Sequence, residues 1–484
     1  PLTRVLAQRG TDLRRIDLAA AIPDLGSDDM AARRQAQQAL QERCWAAARP
    51  EQADTRRVLS RALANALLAG AGNTVAQAFI IDQLRWIGGG EAVAALTLQL
   101  SSDDGDVRDH ARRALAANPL PAAGDALAAQ FDLVQDPAET KALLLALAYR
   151  GETRWNRLFL EVLAGPDTEL FLGALEGLKK TADREALEGL NRAADSPAKT
   201  VRDQAREALL RLADRLCIKG DKAAALAIYQ QLLQDPQPVR CAAIIGTGRA
   251  GGAAQLPLLF EILEGDDAAA KGAARTALGA MAPKVAVPAV VSRIGAASPA
   301  LKAELLTALA DGGDPESLPV FLAAAEDTDE TVRLAAIEGC GRLGNPEAAP
   351  MLVHLVASGS TPVSTAAKNA LAWLPGDDDV VEAVAAAMPD ADTNTRRELV
   401  DALNARRSPA CLDLLLQTAR EDKEQGVRIL ALEGIGTVGE SARVAALIPL
   451  LLAADAKAEK EAIQKAMVAI SRRTTAVTDV TAAV

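Results

Sequence analysis

Five stretches of this chain read almost alike: VRDHARRAL from Val107, VRDQAREAL from Val201, VRCAAIIG from Val239, VRLAAIEG from Val332 and VRILALEG from Val427. With the Arg as anchor, small or apolar residues recur three, six and often seven positions later. Together with the preceding Val they form the buried stripe of an amphipathic helix. Degenerate copies fall into the same register at Arg33, Arg56, Gln77, Arg108, Lys141, Phe171, Arg202, Arg240, Lys271, Lys302, Arg333, Ser364, Arg396, Arg428 and Lys460. From Arg240 onward the spacing holds at 31 or 32 residues, and a period kept over half the chain outweighs any single motif.

Each period predicts two short helices. Asp stands four residues before the anchor at Asp104, Asp267, Asp329 and Asp392. That place suits an N-cap, where free N–H groups and the helix dipole favour a carboxylate. Gly and Pro then break the chain, as in Leu343-Gly344-Asn345-Pro346, and second helices are expected over 253–264, 347–357 and 441–453. Neither helix can bury its stripe alone, so the pairs must stack. The expected fold is all-α: an α-α superhelix, or α-solenoid, of about 15 helix-pair repeats with a period of about 31 residues.

Two places depart from the period. The 38-residue step from Arg202 to Arg240 predicts an insertion near 212–235, its extra residues falling around GDKAAALAIYQQLL. Steps of 23 and 21 before Gln77 put Arg33 and Arg56 in one irregular unit, so that 1–90 reads as an irregular cap and 91–484 as the regular array. The final SRRTTAVTDVTAAV reads as the start of another unit, which implies a parent chain continuing past Val484.

Composition agrees. The 484 residues are 50% hydrophobic yet 2% aromatic, and Ala supplies about a fifth of them. Such a core suits closely packed helices and excludes strand-rich folds. Two histidines, His110 and His354, cannot build a multi-His metal centre or relay. The five cysteines contain no Cys-x-x-Cys pair. A net charge of -11 argues against general nucleic-acid binding, and no stretch approaches the ~18 apolar residues of a membrane span. The reading therefore carries no catalytic residue, no cofactor and no metal, and expects a soluble, monomeric array whose compartment is open.

The D-x-x-x-R-x-x-A-x-x-A/G pattern at this period resembles the HEAT-repeat superfamily, specifically the short bacterial repeats also seen in phycobilin-lyase-type proteins. The resemblance covers nearly the whole chain and implies a fold rather than an activity. It implies a non-catalytic scaffold that binds a protein partner, or a neighbouring domain of its own parent chain, through a concave surface. Two other roles stay open: the scaffold part of a secreted or periplasmic enzyme with a sugar-cleaving or cytochrome domain elsewhere, and a phycobilin-lyase-like helper. HEAT-like hydroxylases that modify a lysine depend on several His-Glu pairs, and neither histidine here is followed by Glu.

The anchors Arg108, Arg202, Arg240, Arg333, Arg396 and Arg428 read as structural, bonding carbonyls or carboxylates of a neighbouring unit. Residues 1–120 hold 15 Arg and no Lys against 14 acids, so the remaining chain carries the negative charge. If second helices line the concave face, as the resemblance implies, Arg34, Arg57, Arg61, Arg112 and Arg113 project into one groove. They then form a docking patch for an acidic peptide, phosphate or polyanion, or else a solvated surface paired with acids such as Asp109. Trp45, Trp86, Trp155 and Trp373 read as gap fillers between repeats before they read as binding anchors. The run Gly246 to Gly252 reads as an inter-helix turn and Asp377-Asp378-Asp379 as a solvated helix start.

Overall fold

The anchor falls at the fourth residue of its helix at most copies, Arg33, Arg108, Arg202, Arg333, Arg396 and Arg428 among them. The computed structural model describes residues 18–473, all of whose regular elements are helical, so the run past Arg473 and the first residues lie outside it. The chain divides into two compact units, Pro1–Ile228 and Tyr229–Val484, with the boundary inside the helix Lys222–Leu232.

Each unit has two layers. In the first unit, Met30–Ala47, Thr74–Ile87, Gly105–Ala117, Pro137–Arg150, Thr168–Thr181 and Lys199–Ile218 stack one on the next. The second layer, for example Gly90–Gln99 and Asn156–Ala164, packs each helix against the first-layer helix that follows. Ala53–Leu68, which carries Arg56, belongs to this second layer: it packs on Gly90–Gln99, so its anchor begins no new pair. In the second unit the first layer runs from Val239–Gly251 to Lys457–Arg473, and one hydrophobic cluster extends unbroken from Ile244 to Ile470. The extra length after Arg202 lies in Lys199–Ile218 itself, a helix of 20 residues where Thr168–Thr181 has 14. Gly246 to Gly251 are likewise helical, inside Val239–Gly251, and the turn comes only at Gly252 with φ 55°.

Polar contacts account for the period. The anchor guanidinium folds back on the carbonyl six residues earlier: Arg33 on Ser27 at 3.1 Å, Arg108 on Ser102 at 2.7 Å, Arg202 on Ser196 at 3.0 Å, Arg333 on Asp327 at 2.7 Å and Arg428 on Asp422 at 2.9 Å. Several also reach forward, Arg108 to Glu139 at 2.5 Å, Arg240 to Asp267 at 3.1 Å and Arg428 to Glu459 at 2.8 Å. Arg396 donates to the Asp422 carboxylate at 2.8 Å while the Asp422 carbonyl accepts from Arg428, so one residue ties consecutive units together. The expected N-caps are present: Asp104, Asp267, Asp329 and Asp392 accept backbone N–H bonds from the first turn.

A second set of cations works at the opposite helix ends. Arg150 donates to the carbonyls of Leu115, Asn118 and Leu120, Arg215 to those of Leu178, Lys179 and Ala182, and Arg473 to those of Gly436 and Gly439. Each satisfies carbonyls that the preceding first-layer helix leaves free at its C-terminus, where the dipole favours positive charge.

Few aromatics enter the core, and the three largest fully buried ones face glycine. Phe159, Tyr229 and Phe321 are the largest fully buried side chains. Each lies against a glycine six residues after an anchor, Gly177, Gly246 and Gly339 respectively, where an added Cβ would fall within 2.2–2.4 Å of the ring. Substituting Gly339→Val will therefore destabilise the second unit by roughly 2–4 kcal/mol, read as a lower denaturation midpoint, whereas Gly426→Ala, with open space around it, will not.

The N-cap bonds hold the carboxyls of Asp104, Asp267 and Asp392 below the usual carboxylate range, and the Arg428 guanidinium does the same for Glu459. Because the folded values are depressed, this stabilisation is complete above the unfolded carboxylate range of about 4 and is lost as pH falls through the folded values. Thermal melts followed by circular dichroism will show a flat midpoint from pH 7 to about 5 and a steep fall below about pH 4.

Candidate interaction surface

The five arginines proposed from sequence do not converge. Arg34 lies on Met30–Ala47 and Arg112 and Arg113 on Gly105–Ala117, all first-layer helices; Arg57 and Arg61 lie on Ala53–Leu68 in the second layer. The sequence reading assigned every anchored helix to one face, and the short spacing before Gln77 hid the change of layer. Arg34 and Arg61 are exposed, and Arg57 pairs with Asp54 at 3.0 Å. Arg112 and Arg113 share the carboxylate of Asp109. Arg112 also donates to the Ala142 carbonyl at 3.3 Å with its side chain only 21% exposed, and burial pulls its pKa down. Together with Arg108, Asp109 and Glu139 it lines a cavity of about 210 Å³ between Gly105–Ala117 and Pro137–Arg150.

The tryptophans depart further from expectation. Trp45, Trp86 and Trp373 are 61%, 68% and 85% exposed, so they fill no gap between repeats. Only Trp155 is half-buried, with the Arg154 guanidinium 4.3 Å from its ring. The exposed ones share a location. Trp45, Trp86 and Tyr149 stand in the last three residues of their first-layer helices, as does Ile218 at the end of Lys199–Ile218. In the first unit this makes one edge of large apolar side chains, with Arg85 5.5 Å from the Trp86 ring and Lys180 5.6 Å from that of Tyr149. Each residue stands off the buried stripe, which itself continues to the helix ends at Ala47, Ile87, Ala148 and Cys217.

Nothing gathers for chemistry among the described residues. His110 sits half-buried with Nδ1 2.8 Å from Asp82, and no group of three or more His, Cys, Asp or Glu is placed to hold a metal ion. Burial pushes the Cys44 and Cys340 thiols up to about 12, which makes them packing residues rather than nucleophiles. Asp377 opens the helix Asp377–Ala387 and is held low by the Ser408 hydroxyl and the Arg406 guanidinium. No described helix is long and apolar enough to cross a membrane.

The arginine placement predicts a split outcome. Arg112→Ser will lower the denaturation midpoint by the equivalent of about 1–3 kcal/mol, whereas Arg57→Ser with Arg61→Ser will leave it unchanged within about 0.5 kcal/mol.

Residues 287–372 and 380–467 match the family of HEAT repeats. No curated protein matches the chain. Among solved structures, Kap121p aligns over 94% of this chain and 56% of its own at 14% identity, with a TM-score of 0.46. Kap95p, in a structure with RanGDP, aligns over 96% and 69% at 14% identity and a TM-score of 0.44. Human deoxyhypusine hydroxylase aligns over 54% of this chain and 100% of its own at 19% identity and a TM-score of 0.23. The chain thus spans little more than half of Kap121p, and at these scores none of the three likenesses bears on activity or partners. Residues 287–372 and 380–467 are HEAT repeats, and the same stacked helix-pair build, with the same anchored first helices, makes up the rest of the described chain.

Proposed function

We propose that this chain is a non-catalytic scaffold that holds a protein partner, or a neighbouring domain of its own parent chain. The observation that supports this most is the aromatic edge of the first unit. Isolated exposed apolar residues are ordinary, but Trp45, Trp86, Tyr149 and Ile218 recur at one end of one layer. Trp and Tyr there offer large, rigid contact area at low entropic cost, and Trp in particular dominates binding hot spots. The cations of Arg85 and Lys180 beside the rings fit a partner with apolar anchors and an acidic rim. Of the sequence-proposed arginines, the exposed Arg34, Arg57 and Arg61 are proposed as steering charges that raise the rate of encounter rather than as the anchor.

Replacing Trp45, Trp86 and Tyr149 with Ser tests the reading. A partner that co-purifies and cross-links with the unaltered chain will be lost from the triple variant, while helicity and melting stay unchanged. Retention of the same cross-linked partner would refute the edge as its binding surface.

A further inference from the structure

Second-layer helices of the second unit pack against the first-layer helix that follows, except one. Asp377–Ala387 lies chiefly against the helix before it, Ala349–Ser358, which itself reaches Thr393–Arg406. The displacement leaves an open groove of about 670 Å³. Its walls carry Pro350, Val353, Ala383 and Ala386, and its rim carries Glu347, Asp379, Glu382 and Asp390, with His354 the one other titratable lining group. All four rim acids are exposed, and no Lys or Arg among the described residues pairs with any of them.

The nearest cations are engaged elsewhere: Arg342 with Asp311, Arg396 with Asp422 and the Ala391 carbonyl, and Arg406 with Asp377. Between Leu343 and Thr395 there are seven carboxylates and one basic side chain, Lys368. Lys368 is taken by Glu398 at 2.8 Å and Asp401 at 2.9 Å on the first layer. Asp377 is occupied by Arg406 and Ser408, and Asp392 caps its own helix. What remains is an apolar trough edged by exposed carboxylates without a cationic partner, which complements a cationic ligand with apolar side chains. Helices of 10 and 11 residues give the trough a length of about 15 Å, enough for three turns of a docked helix.

We infer that the groove between Ala349–Ser358 and Asp377–Ala387 binds a short Lys- or Arg-bearing amphipathic segment of another protein, its apolar stripe on Val353 and Ala386 and its cations on the Glu347, Asp379, Glu382 and Asp390 rim. The site goes beyond the aromatic edge: it lies in the other unit, takes the opposite charge and stands on its own residues.

Fluorescence anisotropy on the full chain tests it, with a labelled 12-residue peptide carrying Lys and Leu at helical spacing. Two control peptides replace Lys with Glu or Leu with Ser. The Lys-Leu peptide is expected to bind with a Kd near the micromolar range, weakening as salt rises, and both controls to bind at least about tenfold more weakly. Asp379→Asn with Glu382→Gln removes charge and keeps shape; Ala386→Trp fills the trough and keeps charge. All three positions are exposed, so the helical fold will be kept, as far-UV circular dichroism will show, and each variant is expected to weaken the Lys-Leu peptide about tenfold. Equal binding of the Lys-Ser peptide, or binding indifferent to Ala386→Trp, would mean diffuse attraction to an acidic surface and overturn the site. So would sedimentation showing a dimer that Ala386→Trp abolishes, since the occupant would then be a second copy of this chain.

Discussion

A guanidinium three residues into a helix stands where two groups of oxygen atoms converge: the carbonyls of the loop behind it and a carboxylate of the next unit. Arg428 meets both, donating to Asp422 and Lys423 carbonyls on one side and to both oxygens of Glu459 on the other. A partly buried charge is costly unless its hydrogen bonds are met, and this geometry meets them only when loop length and helix spacing are held. Where the anchor is Arg, the recurring step of 31 or 32 residues is consistent with that requirement, and the step persists at Lys271, Lys302 and Ser364, where helix packing keeps it. Arg150, Arg215 and Arg473 apply the same logic at the far ends of the helices, so that charge both starts and finishes a layer.

Between these polar edges the core is held by closeness. Ala and Gly let first-layer helices approach, and the three fully buried aromatics Phe159, Tyr229 and Phe321 each sit where a glycine six residues past an anchor makes room. A core built this way is thin and has no place for more rings. Of the other aromatics, Trp45, Trp86, Tyr149 and Trp373 are turned outward. Composition and surface are two sides of one constraint.

The outward side chains and the open trough give the surface two characters in the two units. One edge of the first unit offers rings with cations beside them; the trough of the second offers small apolar walls with unpaired acids. Each is a consequence of the stack rather than an addition to it. The edge lies on the exposed side of first-layer helix ends whose other side is buried, and the trough arises because Asp377–Ala387 leans back on its predecessor.

Helix pairs, anchors, N-cap aspartates and breaks were all legible in the residue order, because each depends on neighbours within about one helical turn of the anchor. Residue order alone thus determined the fold class. It did not reveal that Ala53–Leu68 crosses to the second layer, which separates Arg57 and Arg61 from Arg112 and Arg113. Nor did it show that the extra residues after Arg202 lengthen an existing helix, or that three of the four tryptophans face outward. Those outcomes turn on which helix a side chain meets some 30 residues away in sequence, a matter of layer and packing angle that only tertiary structure decides.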